Sequence, residues 1–282
     1  MYRRKRFSLR KGIPMPVLVL AGALLAVFSG YLLGEFLFGT LLAGNRTGGG
    51  NTVSPPDDAS APKGSQELTT TTVDLAAVEV FRVQLGAFAN REGAERHAAD
   101  ALAKQVPAHV VAEDKYRVIA GIYTSRAAAT KAAQYVNHRG LDTYVYAVSI
   151  PGGSLSLRGV TEGYGAALKG MLSEIAANLQ AQMNVWGQHF SGQSTNLAQE
   201  AQALETSLRK AQEQLASQAV PQGWDSTHKA VISASNTALK AISEMKAFAE
   251  KKDQTYLADA ITFLVQLAED YEECLTLAVS VP

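Results

Sequence analysis

Two similar segments of the chain carry arginine and glutamine side chains at regular positions, and these are the first candidates for chemistry. The segments are FRVQLGAFANREGA and YRVIAGIYTSRAAA, and they begin at Phe81 and Tyr116. Arg82 and Arg117 occupy equivalent positions, and Gln84 follows in the first segment. Guanidinium and carboxamide groups each make several hydrogen bonds, which is the chemistry of binding a polar ligand.

The residue types that catalysis uses are present, but their spacing matches no catalytic motif. The chain has no H-E-x-x-H and no G-x-S-x-G sequence, and the single cysteine, Cys274, has no protease-like context. The five histidines are scattered along the chain: His97, His109, His138, His189 and His228. We therefore expect no enzymatic activity, no metal site and no cofactor.

The two segments also show the alternation that is typical of β-strands. Phe81, Val83 and Leu85 alternate with Arg82 and Gln84, as in a strand with one buried face. An alanine-rich helical pattern follows each segment, and two further short apolar runs complete the set. The predicted order is βαββαβ, in which both helices cover one face of a four-stranded sheet and the other face stays open.

Residues 78–150 resemble a known domain family. The stretches VQLGAFANREGAERHAADAL and YRVIAGIYTSRAAATKAAQYVNHRGLDTYVY are similar to both halves of the SPOR domain, the sporulation-related repeat of bacterial cell-envelope proteins. The resemblance implies binding to peptidoglycan, in particular to glycan strands without stem peptides, which accumulate at division and sporulation septa. It also implies a groove with a glutamine on the first strand and an arginine on the third, matched here by Gln84 and Arg117.

Strand periodicity assigns side chains to the open face of the predicted sheet. A sugar polymer is bound through hydrogen bonds to its hydroxyl and acetamido groups and through apolar contact with its ring faces, and an open face with mixed side chains suits it. On the fourth strand the period of two leaves two choices, Thr143 with Val145 or Tyr144 with Tyr146, and we assign Val145 to the open face. The predicted glycan contacts are Arg82, Gln84, Arg117, Ile119 and Val145.

RNA-recognition domains share this order of elements and also bind on the open sheet face. They carry the pattern K/R-G-F/Y-G/A-F-V-x-F/Y on the third strand, which YRVIAGIY lacks. Acidic residues outnumber basic ones after residue 12, and this balance opposes phosphate binding. We expect no nucleic-acid partner.

The start of the chain predicts a membrane anchor. Residues 1–12 carry six basic and no acidic side chains, and an uncharged apolar run from Pro14 to Gly34 follows. This run is about as long as the 20 residues that a helix needs to cross a bilayer. A cleaved signal peptide, the alternative, has a shorter apolar core of about 7 to 15 residues. The charge bias predicts a cytoplasmic tail at 1–12, a single span at 13–42 and later residues outside the cytoplasm.

The two remaining regions differ sharply in composition. The stretch from Asn45 to Thr72 has almost no large apolar side chain, and residues 43–77 are predicted to be a disordered linker. Residues 160–282 carry four apolar stripes at helical spacing, separated by short connections such as SGQS and PQG, which predicts an antiparallel helical bundle. The expected fold class is therefore α+β, with a transmembrane helix, a βαββαβ domain and an all-α bundle in chain order.

This architecture is similar to that of membrane-anchored septal proteins. We interpret the chain as a non-enzymatic, single-pass membrane protein whose SPOR-like domain binds denuded glycan strands at the division or sporulation septum. The alternative is an interaction scaffold whose helical segment docks a septal or engulfment protein, with the SPOR-like domain serving only for localisation.

The charge asymmetry around the span predicts that the C-terminus lies outside the cytoplasm. A reporter enzyme that is active only outside the cytoplasm should therefore be active when fused after Pro282, and inactive when fused before Met1. If a C-terminal tag is labelled only after cell lysis, the predicted orientation is wrong.

Overall fold

The computed structural model describes residues 67–280. The predicted cytoplasmic tail at 1–12, the predicted span at 13–42 and residues 43–66 of the predicted linker lie outside the described residues. Among the helices of residues 67–280, none combines the length and the hydropathy needed to cross a membrane.

Strands dominate the first half of the described residues and helices the second half. The strands are β1 (Leu68–Leu75), β2 (Val78–Phe88), β3 (His109–Ala112), β4 (Tyr116–Tyr123), β5 (Tyr144–Ile150) and β6 (Gly153–Thr161). The helices are α1 (Arg91–Ala103), α2 (Arg126–Asn137), α3 (Glu162–Phe190), α4 (Leu197–Ala216), α5 (Asp225–Lys251) and α6 (Gln254–Ser280). The protein is thus a mixed α+β structure, as expected.

The elements from β2 to β5 follow the predicted βαββαβ order. Their strands form an antiparallel sheet with the spatial order β3-β4-β2-β5. The two strands that carry the sequence repeat, β2 and β4, therefore lie side by side in the middle of the sheet. Each is followed by a helix with an N-terminal cap: Asn90 Oδ1 accepts from the backbone N–H of Gly93 at 2.8 Å, and Ser125 Oγ accepts from that of Ala128 at 3.2 Å.

The repeated glycine of β2 and β4 has a packing reason. In each strand the aromatic ring two residues later lies over the glycine. A Cβ atom at Gly86 would come within 2.9 Å of Phe88 Cε2, and one at Gly121 within 2.6 Å of the Tyr123 hydroxyl. Non-bonded atoms do not approach so closely, so a larger residue at either glycine would displace the ring. The repeat therefore places the same close packing of a glycine under an aromatic ring at the end of both strands.

A second, two-stranded sheet joins the beginning of the described chain to the start of the helices. Strands β1 and β6 are antiparallel, and Leu68 pairs with Thr161 at one end and Leu75 with Gly153 at the other. Residues 68–75 were expected to belong to the disordered linker, so the ordered chain begins earlier than predicted. The threonine-rich sequence LTTTTVDL has β-branched side chains, and Val73 is completely buried.

The four long helices pack against one another with antiparallel neighbours. Asn178 and Glu174 of α3 bond to Leu204 and Ser207 of α4, so the residue numbers run in opposite directions along the two helices. The same order relates α5 to α6, where Thr237 bonds to Asp270 and Lys240 lies over the ring of Phe263. The predicted helical segment with short connections is therefore present.

Helix α6 also packs on the sheet. The backbone N–H of Ala108 donates to Thr262 Oγ1 at 3.2 Å, and His109 Nε2 lies 2.6 Å from Glu269 Oε2. His109 pairs with Ile119, and paired residues of an antiparallel sheet share a face. Ile119 is completely buried on that face. The expectation of an open face is therefore wrong at β3 and β4, and the sheet and helices belong to one compact unit.

An aromatic cluster forms a further contact between the helices and the sheet. The ring of Phe190, at the end of α3, lies 6.0 Å from that of Tyr123 and 5.1 Å from that of Tyr135. His189 extends the cluster to Phe248 of α5, with ring centroids 5.4 Å apart. Burial lowers the pKa of His189 below its ordinary value, and the nearby Lys252 lowers it further.

The buried position of Ile119 predicts a large effect of truncation. Ile119→Ala should lower the free energy of unfolding by about 2–5 kcal/mol, because the cavity adds to the lost burial. Helix and strand signals in circular dichroism should be lost together at a lower temperature, since both regions share this contact. The control Leu102→Ala, on an exposed part of α1, should change stability by no more than about 0.5 kcal/mol. Wild-type melting of Ile119→Ala would contradict the covering of the sheet by α6.

The lowered pKa of His189 predicts a loss of stability on acidification. Its folded pKa lies below the ordinary value of about 6.5, so the unfolded state takes up the proton first as the pH falls below about 6.5, and stability is lost until the pH has passed the lowered pKa. His189→Gln cannot take up this proton. Between about pH 7.5 and pH 5, chemical denaturation should therefore show a smaller loss of unfolding free energy in the variant than in the wild type. Burial also lowers the pKa of His228, but His228 is present in both proteins and cancels in the comparison. Equal losses would rule out the contribution of His189.

Candidate functional site

The register of β2 and β5 determines which side chains share the face that α6 partly covers. Gln84 pairs with Tyr144, and Val83 pairs with Val145. Tyr144 and Tyr146 therefore lie on the face of Gln84, whereas Val145 lies on the opposite face with the buried Val83. The assignment of Val145 to the predicted glycan face is wrong, because Val145 faces the side of the sheet that α1 and α2 cover.

The five side chains predicted as glycan contacts differ widely in accessibility. Ile119 has no exposed surface and Arg82 is 6% exposed, so neither offers an area to a ligand in this arrangement. Gln84 and Arg117 are partly exposed and hydrogen-bonded to each other, with Arg117 Nη1 donating to Gln84 Oε1 at 3.0 Å. The structure thus brings together two of the predicted residues at the surface.

Two acidic residues in the turn between β3 and β4 complete a charged network. Arg117 Nη2 donates to Asp114 Oδ1 at 2.8 Å, and Arg117 Nε lies 2.7 Å from Glu113 Oε2. The other oxygen of Glu113 accepts from Arg82. The hydrogen bond from Arg117 lowers the pKa of Asp114 below its ordinary value, so this carboxylate is ionised at neutral pH.

Two tyrosines extend this network to the edge strand β5. The rings of Tyr144 and Tyr146 are stacked, with centroids 5.8 Å apart and an interplanar angle of 17°. Tyr144 is 64% exposed, and the guanidinium carbon of Arg117 lies 5.9 Å from the centre of the Tyr146 ring. The hydroxyl of Tyr146 is buried and has no hydrogen-bond partner among residues 67–280. The exposed ring of Tyr144 thus lies close to the hydrogen-bonded side chains of Arg117 and Gln84.

This arrangement is chemically a binding surface. Aromatic rings offer apolar area with little loss of side-chain freedom, and guanidinium and amide groups supply directed hydrogen bonds. Within residues 67–280, no three His, Cys, Asp or Glu side chains are grouped so that they could hold a metal ion. We name the surface formed by Gln84, Arg117, Tyr144 and Tyr146 the exposed half-face.

Sequence reasoning missed four residues of this region. Tyr144 and Tyr146 belonged to the alternative that strand periodicity left open, and only the register decides between the two choices. Glu113 and Asp114 are charged residues of a turn, and their pairing with Arg117 depends on the three-dimensional course of the turn. The sequence did contain a signal for the two tyrosines, because Tyr144 and Tyr146 are two residues apart in the YVY sequence of β5 and therefore share a strand face.

Comparisons with known proteins agree on the identity of this part of the chain. A SPOR domain family model matches residues 77–147. Among solved structures, the peptidoglycan binding domain of the B. subtilis cell wall lytic enzyme CwlC is 30% identical, over 25% of this chain and 90% of that chain, with a TM-score of 0.23. No curated protein matches the chain. The resemblance to SPOR domains predicted from the sequence is confirmed.

Proposed function

Since the chain belongs to the SPOR domain family through residues 77–147, we propose that it binds peptidoglycan with the exposed half-face. The observation that carries this proposal is the position of the exposed Tyr144 ring, stacked on Tyr146, beside the hydrogen-bonded side chains of Arg117 and Gln84. The similarity to a domain that binds peptidoglycan in a cell wall lytic enzyme supports the choice of ligand.

The chemistry of a glycan strand suits this surface. Its sugar rings have apolar faces that fit against the ring of Tyr144, and its hydroxyl and acetamido groups suit the amide of Gln84 and the N–H groups of Arg117. A strand without stem peptides also bears free lactyl carboxylates, which attract a guanidinium group. We therefore propose denuded glycan strands as the preferred form of the ligand.

We propose that this binding is not accompanied by catalysis. The two carboxylates nearest to the surface, Glu113 and Asp114, both form ion pairs with Arg117. Arg117 lowers the pKa of Asp114, and a carboxylate that stays ionised is poorly suited to donate a proton as a general acid. The role that these groups support is to orient Arg117.

The cellular setting is likewise a proposal. The basic tail and apolar run of the first 42 residues support a single-pass anchor with the SPOR domain outside the cytoplasm. Denuded glycans at division and sporulation septa would then concentrate the protein there. The rival function, a scaffold whose helical segment docks a septal or engulfment protein, has less support, because α6 of that segment is occupied in burying the sheet.

Tyr144→Ala and Gln84→Ala should weaken binding without unfolding the protein. Each removes an exposed or partly exposed contact, so stability should change by no more than about 0.5 kcal/mol. The affinity of the full chain for amidase-treated sacculi, measured by sedimentation, should fall about tenfold for each, if one contact contributes about 1.4 kcal/mol.

Two matched variants serve as controls for this experiment. Tyr144→Phe retains the ring and should bind nearly as the wild type, and Leu68→Ala removes a similarly exposed apolar side chain from outside the four-stranded sheet. The proposal fails if Tyr144→Ala and Gln84→Ala sediment with sacculi as the wild type does, or if they lose binding only through unfolding.

A further inference from the structure

We propose that Arg82 is a positioning residue of the glycan site, which together with Glu113 fixes the guanidinium group of Arg117 for the ligand. This role replaces the direct glycan contact predicted for Arg82 from the sequence, and it rests on the function proposed above.

Arg82 is a buried cation that needs a partner. Its side chain is 7% exposed, and a buried charge is costly unless a partner compensates it. The partner is Glu113, which accepts from Arg82 Nη1. Burial lowers the pKa of Arg82, but the neighbouring Tyr146 and Glu113 outweigh this effect and raise it above its ordinary value. Arg82 therefore stays charged and remains paired with Glu113.

Glu113 transmits this constraint to the surface. One of its carboxylate oxygens contacts Arg82, and the other lies 2.7 Å from Arg117 Nε. Asp114 and Gln84 hold the two remaining nitrogens of Arg117, at 2.8 and 3.0 Å. The two terminal nitrogens of this guanidinium group are thus hydrogen-bonded, and Nε lies at ion-pair distance from Glu113 without a hydrogen bond among residues 67–280. A side chain that is already ordered loses less entropy when a ligand binds, so the network should increase affinity.

Helix α6 adds a carboxylate to the same cluster. Burial raises the pKa of Glu272 above its ordinary value, the charge of Arg82 opposes this rise, and Glu269 and Glu113 add to it. Arg82 accordingly lies in the field of carboxylates from two elements, the β3–β4 turn and α6. Glu269 is itself held 2.6 Å from His109 of β3, which fixes this part of the helix on the sheet.

A double-mutant cycle in the full chain tests the positioning role. We expect Arg82→Met, Glu113→Gln and Arg117→Ala each to weaken sedimentation with amidase-treated sacculi about tenfold. Arg82→Met should have no further effect when Arg117 is already alanine, because its influence passes through Arg117. Arg82→Lys retains a cation and should recover part of the lost affinity. A residue that acted only through overall stability would weaken binding in both backgrounds.

The outcomes separate this inference from the proposed function. If Tyr144→Ala and Arg117→Ala bind as the wild type does, the exposed half-face is not the glycan site and both proposals fail. If Arg117→Ala loses affinity while Arg82→Met and Glu113→Gln keep it, only the positioning role is overturned. Additional loss in Arg82→Met/Arg117→Ala overturns it as well. Glu113→Gln breaks the network from the other side and provides the measurement if Arg82→Met does not fold.

Discussion

The burial of α6 on two sides is the constraint on which the rest of the structure depends. A helix with a single apolar stripe needs one partner, but the buried residues of α6 occupy neighbouring positions all along the helix and need more than one. They include Leu257, Ala258, Ala260, Ile261, Leu264, Val265, Leu267, Ala268, Tyr271, Cys274, Leu275 and Ala278. The long helices cover one side and the sheet covers another. For this reason the sheet and the helices share a core.

This packing divides the sheet face into two chemically different halves. The covered half contains the buried side chains of Ile119 and Arg82, and Arg82 is paired with the more exposed carboxylate of Glu113. The exposed half contains the stacked tyrosines of the edge strand, so a ligand would meet β5 and β2 rather than β3. Glu113 pairs with Arg82 in the covered half and with Arg117 in the exposed half, so one carboxylate links the charges of the two halves.

Much of the fold could be predicted from local periodicity, whereas features that depend on pairing between distant parts of the chain could not be predicted. The strands of the repeat and the four helical stripes follow from the spacing of apolar residues. The face of Tyr144 depends on the register of β5 with β2, and strand β1 depends on a partner far along the chain, as in the hydrogen bond from Thr69 to Val160, 91 residues later. Gln84 and Arg117 could be assigned to one face from strand periodicity and from the resemblance to the SPOR domain, and the structure places them within hydrogen-bond distance. The burial of Ile119 could not be predicted from local spacing, because a helix about 140 residues later covers this side chain.

The β1–β6 sheet has a mechanical consequence. Chain preceding residue 67 enters the fold at Leu68, and β1 leads through Ala76 and Ala77 directly into β2, which carries Gln84. A pull between the N-terminal side and a ligand on β2 is therefore transmitted along β1 alone. Strand β6 and the helices that follow it are not part of this covalent path. Tension along this path would act first on the hydrogen bonds between β1 and β6, before it reached the strand that carries Gln84.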